Sequence, residues 1–175
     1  MTITTETTST FLDRAEAVGR SIGAEAGLHD RDGTFVHGAF EQLRAAGLLA
    51  MSVPVELGGG GASLREVAEA QRALGRHCGS TALSSAMHQH VVAFTAWRYR
   101  RGLPGAEATL RRVADEGIVL VSTGGADQTH PRGEAVRVEG GYRVSGRKVF
   151  CSQAPSGAAM STMFAYADPS RACAS

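Results

Sequence analysis

The sequence predicts an α+β fold in which a helical bundle is followed by a smaller β region. Through most of the first 117 residues, apolar side chains recur every three or four positions, the spacing of one helix face. After Gly117 the pattern changes to the apolar runs and alternations of strands, as in IVLVST and AVRVEGGYRVSG. We therefore expect a helical domain over residues 1–117 and a β domain over residues 118–175.

The first two helices are predicted within the first 47 residues. Apolar side chains three and four positions apart over residues 11–22 define one helix face, and Thr10 is placed to cap its start. The polar residues 29–33 indicate a turn. A second helix should begin near Thr34 and end near Gly47, because glycine commonly follows the last turn of a helix.

A loop and a third helix follow. Pro54 favours extended backbone before it, and the glycines at residues 58–61 do not support a helix, so this segment is interpreted as a linker loop. Ser63 and Glu66 have the spacing of a capping box. The predicted core-facing stripe of this helix consists of Leu64, Val67, Ala68, Gln71 and Leu74. The helix should end within residues 75–79.

The fourth helix is predicted from about Thr81 to Arg100. Its apolar residues are again three or four positions apart, and the predicted core-facing stripe consists of Leu83, Met87, Val91, Phe94 and Trp97. Gly102 closes this helix. A short fifth helix should follow, with Pro104 in its first turn and its end near Gly117.

Five strands are predicted after the helices. IVLVST forms the first, and the Gly140-Gly141 pair indicates a hairpin turn between two alternating segments. RKVFCS and STMFAYAD are further candidate strands. A β portion of about sixty residues is marginal alone and would leave an open edge, so we expect the chain to be cut short within a domain.

The composition argues against several classes of function. Eighteen basic and 17 acidic residues give a net charge of +1, which offers no electrostatic surface for nucleic acid. No apolar run approaches the roughly eighteen residues that a membrane span needs. Cys78, Cys151 and Cys173 have no paired spacing, which favours reduced thiols in a cytoplasmic protein over disulfides or a metal site.

Three strings, in this order along the chain, resemble the acyl-CoA dehydrogenase superfamily. They are VPVELGG at residues 53–59, VADEGIVLVST at residues 113–123 and YRVSGRKVFCS at residues 142–152. The resemblance implies a helical N-terminal domain, the first strands of a truncated β-barrel middle domain, and an absent C-terminal helical domain. In the family, FAD lies between the middle and C-terminal domains, and full-length members are homo-oligomeric. The family's catalytic glutamate belongs to the C-terminal domain, so no glutamate here can be assigned that role.

The resemblance also assigns cofactor-binding residues. Phe150 matches the aromatic residue that packs against the flavin ring, and Ser152 matches the hydroxyl residue beside flavin N5. The strand residues matched to the pyrimidine side of the ring are Val121, Ser122 and Thr123. Without the resemblance, Phe150 would be interpreted as a barrel-core aromatic residue and Ser152 as a strand-end hydroxyl.

The sequence departs from the dehydrogenase pattern after Thr123. Gly124 and Gly125 stand where many members have glutamate and proline, and Thr129 is matched only by position to the serine that reaches the pyrophosphate. This stretch resembles the flavin monooxygenase branch, which uses reduced flavin and oxygen. Some members of that branch have a histidine of the fourth helix beside the flavin, and His88 falls close to that position. The alternative for His88 is a polar residue on a helix flank.

Several cations have ordinary structural explanations. Arg98, Arg100 and Arg101 crowd a helix end, where positive charge complements the helix dipole, with contact to a CoA phosphate as the alternative. Arg147 and Lys148 are interpreted as a solvated strand flank.

Three functions remain open from the sequence. The first is an FAD-dependent oxidoreductase acting on the CH-CH group of an acyl-CoA, in a chain inactive alone, with an electron-transfer flavoprotein as partner. The second is a flavin monooxygenase of the same fold that uses reduced FMN or FAD from a flavin reductase. The third is an inactive remnant or interaction module.

Overall fold

The computed structural model describes residues 10–167 and has the predicted α+β organisation. Its helices are α1 (Phe11–Asp32), α2 (His37–Ala45), α3 (Leu64–His77), α4 (Gly79–Arg100), α5 (Ala106–Glu116) and the short α6 (Ala126–Thr129). Its strands are β1 (Val119–Ser122), β2 (Glu134–Val138), β3 (Gly141–Ser145), β4 (Gly157–Ser161) and β5 (Ala165–Ala167). The fold class is therefore confirmed, while the domain division at residue 117 stays a prediction.

Helix α1 is longer than the sequence pattern predicts. Thr10 caps it as expected, in a capping box with Asp13. The turn predicted at residues 29–33 is wrong, because the helix continues to Asp32 and ends only at Gly33, whose φ is 63°. Polar side chains in this last stretch lie on the surface, where they do not oppose helix formation, and the left-handed backbone at Gly33 ends the helix.

Two groups of buried side chains form the core. The first lies between α1, α2 and α3 and includes Ile22, Phe40, Leu43 and Leu74. The second joins α4, α5 and β1 and includes Val53, Val92, Leu110, Val113 and Leu120. Strand β1 thus begins inside the helical core, which fixes its C-terminal end against α4.

Helix α3 begins as predicted but buries a different face. Ser63 and Glu66 form the capping box. Leu64 and Ala68 are exposed, in contrast to the predicted stripe. The side chains that the helix buries are Val67, Ala70, Ala73 and Leu74. The small alanines allow close packing against α1, so the inner face carries less apolar surface than the pattern suggested.

Helix α4 turns its polar side inward. Leu83, Phe94 and Trp97 of the predicted core stripe are 63%, 57% and 45% exposed, and only Val91 of that stripe is buried. The buried polar side chains of α4 are Thr81, Ser84, Ser85, His88, Gln89 and Thr95. The predicted orientation is therefore wrong. On the buried face, His88 and Gln89 are hydrogen-bonded to backbone groups of neighbouring segments.

The glycine-rich loop between α2 and α3 is packed closely. A 3₁₀ turn at Val55–Leu57 leads to Gly58, whose φ of 84° places it in the left-handed region. Gly59 lies against Val53 so closely that a β-carbon would overlap the side chain and carbonyl of that valine. The loop assignment is confirmed, but the segment is an integral part of the core rather than a simple linker.

The strands form two small sheets. Strand β1 pairs with β4 in parallel, and the second sheet has the order β3-β2-β5. Strands β2 and β3 form the predicted hairpin, with Val138 opposite Gly141. RKVFCS is not a strand, and Phe150 within it has a φ of 59°. STMFAYAD contributes the end of β4 and all of β5.

Three features of the sequence lie partly or wholly outside the described residues. They are the threonine-rich start, Cys173 and the last eight residues. Cys78 and Cys151 are free thiols, as predicted. Within residues 10–167, no helix is both long and apolar enough to cross a membrane.

Candidate functional site

A cleft of about 390 Å³ lies where the end of β1 faces α4. Its lining residues are His90, Val91, Phe94, Ser122, Thr123, Gln128, Ser161, Thr162 and Met163. One edge presents hydroxyl groups from the ends of β1 and β4, and the other presents apolar side chains from α4 and the loop after β4. Ser122 and Thr123, which the resemblance assigns to the flavin, both line this cleft, and their role in binding stays a prediction.

A buried carboxylate fixes two of the hydroxyls. Thr123 Oγ1 donates to Asp127 Oδ2 at 2.8 Å, and Thr162 Oγ1 donates to the same oxygen at 3.1 Å. The backbone N–H of Arg132 donates to Asp127 Oδ1 at 2.9 Å. Asp127 therefore sets the positions of both threonine side chains at the edge of the cleft.

Lys148 is the counterion of this carboxylate, so its interpretation as a solvated flank is wrong. Its ammonium lies 3.0 and 2.8 Å from the two oxygens of Asp127. It also donates to the carbonyls of Arg132 and Met163 and lies over the ring of Phe164. Both charged side chains are nearly buried. Hydrogen bonding from Lys148 holds the pKa of Asp127 well below its usual range, and the Arg132 N–H acts in the same direction.

Two features accompany the absence of a strand at RKVFCS. Lys148 turns inward to Asp127, and Phe150 has a left-handed backbone that a strand does not allow. The neighbouring Arg147 stays exposed, as predicted. The signal that could have identified the pair is the lysine in YRVSGRKVFCS, which matches a fixed position of the family pattern. A cation at a fixed place among apolar residues indicates a specific buried partner.

His88 is part of the core and does not line the cleft. Its Nδ1 accepts from the backbone N–H of Leu120 at 3.0 Å, and its Nε2 lies 2.9 Å from the carbonyl of Leu49. The ring is therefore neutral with the proton on Nε2. Burial lowers the pKa of His88 to about 4. The helix-flank alternative is wrong, and the histidine of α4 that lines the cleft is His90.

The other predicted flavin contacts lie near the cleft but outside its lining. Phe150 is 78% exposed and packs beside Gly124, whose N–H donates to the carbonyl of Val149 at 3.2 Å. A β-carbon at Gly124 would lie 2.9 Å from that of Phe150. Ser152 and Thr129 are exposed. Their flavin contacts stay predictions.

Two buried side chains, Val121 of β1 and Gln153, lie outside the lining of the cleft. Val121 is 2% exposed and pairs with Met160 of β4. Gln153 is fully buried, and its Nε2 donates to the carbonyl of Leu120 at 2.8 Å. The burial of Gln153 could not be predicted from the sequence, because a single glutamine next to a serine is typical of the surface.

The residues of the cleft fit one wall of a flavin site. An isoalloxazine ring has a polar rim, which needs hydrogen-bonding groups. Its two apolar faces need hydrophobic contact. Ser122, Thr123 and Thr162 supply hydroxyls, while Val91 and Met163 supply apolar contact. No carboxylate is among the lining residues. In the described part of the chain, no cluster of histidine, cysteine, aspartate and glutamate could hold a metal ion.

Comparison with known proteins identifies the family. The model for the acyl-CoA dehydrogenase N-terminal domain matches residues 5–101. L-evernosamine nitrososynthase from a Micromonospora species is 35% identical over 156 residues, which are 83% of this chain and 36% of that protein. A putative acyl-CoA dehydrogenase of Bacillus subtilis, YdbM, is 29% identical over 80% of this chain and 38% of that protein.

A solved structure gives the same result. KijD3, in complex with FMN and dTDP-3-amino-2,3,6-trideoxy-4-keto-3-methyl-D-glucose, is 36% identical with a TM-score of 0.73. The match covers 84% of this chain and 37% of KijD3. The chain thus spans little more than a third of the length of the curated relatives that it matches. It belongs to the acyl-CoA dehydrogenase superfamily, through the N-terminal domain of that family.

Proposed function

We propose that this chain contributes to a flavin-dependent monooxygenase that oxidises the amino nitrogen of a nucleotide-linked amino sugar, using reduced FMN and O₂. The observation that carries the proposal is the identity with a nitrososynthase, which is higher than that with the putative dehydrogenase. The binding of FMN and a dTDP-amino sugar by KijD3 supports the choice of cofactor and substrate class. Of the functions open from the sequence, the comparisons therefore favour the monooxygenase over acyl-CoA oxidation.

The local sequence after β1 supports the same choice. Gly124 and Gly125 replace the glutamate and proline of many dehydrogenases. Gly124 allows the Phe150 segment to approach the end of β1, because a β-carbon there would press against Phe150. This departure therefore shapes the loop that borders the cleft.

The residues of the chain would position the reactants. Reduced flavin, when bound, supplies the two electrons with which one oxygen atom of O₂ enters an N–H bond and the other leaves as water. Ser122 and Thr123 would hold the polar rim of the cofactor, and Val91 and Met163 would exclude water from the cleft. His90 lies in the cleft and would accept the proton that the amine loses. The source of reduced flavin would be a partner flavin reductase.

Acyl-CoA dehydrogenation is the second candidate. It is favoured by the 29% identity with YdbM. In that case oxidised FAD would accept hydride from the acyl chain, and O₂ would not be a substrate.

The complete enzyme to which this chain contributes should distinguish the two activities. We expect it to consume O₂ and form an N-oxygenated sugar when supplied with FMN, NADH, a flavin reductase and a dTDP-amino sugar. We expect no bleaching of the flavin when an acyl-CoA is added anaerobically. The product is measured by mass spectrometry, and omission of the amino sugar serves as the control. Anaerobic bleaching by acyl-CoA, without sugar oxidation, would contradict the proposal.

A further inference from the structure

A second cavity of about 600 Å³ lies beside the cleft, between α4 and the start of α3. Its lining residues are Ser52, Gly61, Ala62, Ser63, Leu64, Val67, Gln71, Ala86, Gln89, His90, Ala93, Ala96 and Arg100. His90 lines both spaces, so the cavity and the cleft meet at this side chain. A molecule in the cavity would therefore reach the flavin side of the cleft at His90.

The walls of the cavity suit a largely deoxygenated ring with a few polar substituents. Alanines of α4 leave room and supply apolar contact. Of the two glutamines in the lining, Gln71 has a hydrogen-bonding group to offer a ligand. Gln89 Nε2 donates to the carbonyl of Leu48 at 2.7 Å, whereas Gln71 Oε1 accepts from Ser85 at 3.0 Å and leaves its NH₂ group to donate elsewhere. No carboxylate lines the cavity.

Arg100 gives one end of the cavity a positive charge. It is exposed and has no ion-pair partner among residues 10–167. The other two arginines at this helix end have partners. Arg98 donates to the carbonyl of Pro104, and the guanidinium of Arg101 lies 4.4 Å from the centre of the Trp97 ring. The guanidinium of Arg100 is therefore available to an anion, and its planar set of donors suits phosphate oxygens.

The spacing along α4 matches a ligand with an anionic group at some distance from its reacting end. His90 and Arg100 are ten residues apart, which corresponds to about 15 Å along the helix axis. Side chains of a helix lean towards its N-terminus, a direction in which Arg100 can extend towards His90. A sugar at His90 could thus carry a diphosphate within reach of Arg100.

We propose that this cavity binds the sugar and diphosphate of a nucleoside diphosphate sugar, with Arg100 contacting the diphosphate and Gln71 donating to an oxygen substituent of the ring. The inference rests on the proposed function, since it names the place where the amino sugar substrate binds. Coenzyme A also carries a diphosphate, so Arg100 alone does not distinguish the two ligands. Titration with both kinds of ligand distinguishes them.

Calorimetric titration of the full chain with dTDP, dTDP-glucose and acetyl-CoA tests the assignment. Arg100→Gln should weaken the binding of dTDP and dTDP-glucose about tenfold, the loss of one charge-assisted hydrogen bond. Gln71→Leu should weaken the binding of dTDP-glucose about fivefold and leave the affinity for dTDP unchanged, because only the sugar reaches that amide. Arg98→Gln is the matched control on the same helix end and should leave both affinities unchanged. Circular dichroism checks that each variant is folded.

Three outcomes would overturn the assignment. They are equal losses in Arg98→Gln and Arg100→Gln, no binding of dTDP-glucose by the folded wild type, and acetyl-CoA binding that depends on both Arg100 and Gln71. These titrations contain no flavin, so their result is independent of the oxygenation assay. Arg100-dependent binding of dTDP-glucose without sugar oxidation would refute the proposed reaction alone. Sugar oxidation unaffected by Arg100→Gln and Gln71→Leu would refute the cavity assignment alone.

Discussion

Lowering the pH from 7 to 4 should reduce the free energy of unfolding by about 3 kcal/mol through His88 alone. The folded state keeps this ring neutral down to about pH 4, whereas the unfolded chain protonates it near 6.5. Between these two values the unfolded state binds more protons, so stability rises with pH. The contribution is fully present above pH 6.5 and is lost as the pH falls to about 4.

Urea unfolding of wild type and His88→Gln at several pH values between 7 and 4 measures this effect. Glutamine has one donor and one acceptor for the carbonyl of Leu49 and the N–H of Leu120, but it does not titrate. We expect the variant to lose much less stability than the wild type over this range. His90→Gln is the control and should behave as the wild type, since His90 is exposed. Parallel pH profiles for wild type and His88→Gln would show that His88 is not the group responsible.

Lys148→Met should cause a large loss of stability and disorder one edge of the cleft. The substitution leaves the carboxylate of Asp127 without its counterion and removes a donor from the carbonyls of Arg132 and Met163. Removing one partner of a buried ion pair is far more costly than replacing both. We therefore expect a fall in melting temperature several-fold greater than in the neighbouring Arg147→Met, which removes an exposed cation.

The double variant Asp127→Asn/Lys148→Met separates charge from packing. Its melting temperature should exceed that of Lys148→Met, because the uncompensated carboxylate is gone. Thermal unfolding followed by circular dichroism gives all three values. If Lys148→Met and Arg147→Met melt at the same temperature, the ion pair does not hold this part of the fold together.

Local patterns predicted the elements of this chain better than their orientation. Thr10 and Ser63 were recognised as helix caps because capping depends on residues three apart, and the Gly140-Gly141 turn determined the hairpin. The inner face of α4 was missed for a physical reason. Apolar spacing shows which side chains share a face, but the partners of His88 and Gln89 are backbone groups distant in sequence.

The sequence predicted only the part of the candidate site that lies at the end of β1. Ser122 and Thr123 were predicted because the resemblance matches the strand IVLVST to a flavin-contacting strand of the family. Thr162 and His90 were missed, because they approach β1 only through strand pairing and helix packing. The strand predicted at RKVFCS is absent, since the left-handed backbone of Phe150 and the buried partner of Lys148 cannot be seen in a short apolar alternation.

We propose that the cleft at the end of β1 forms one wall of a flavin site. The most direct measurement is an NMR titration of the ¹⁵N-labelled chain with FMN, which locates even weak binding residue by residue. We predict that the largest saturable shifts occur at the amides of Ser122, Thr123 and Thr162. Shifts centred on another surface, or none that saturate, would contradict the claim.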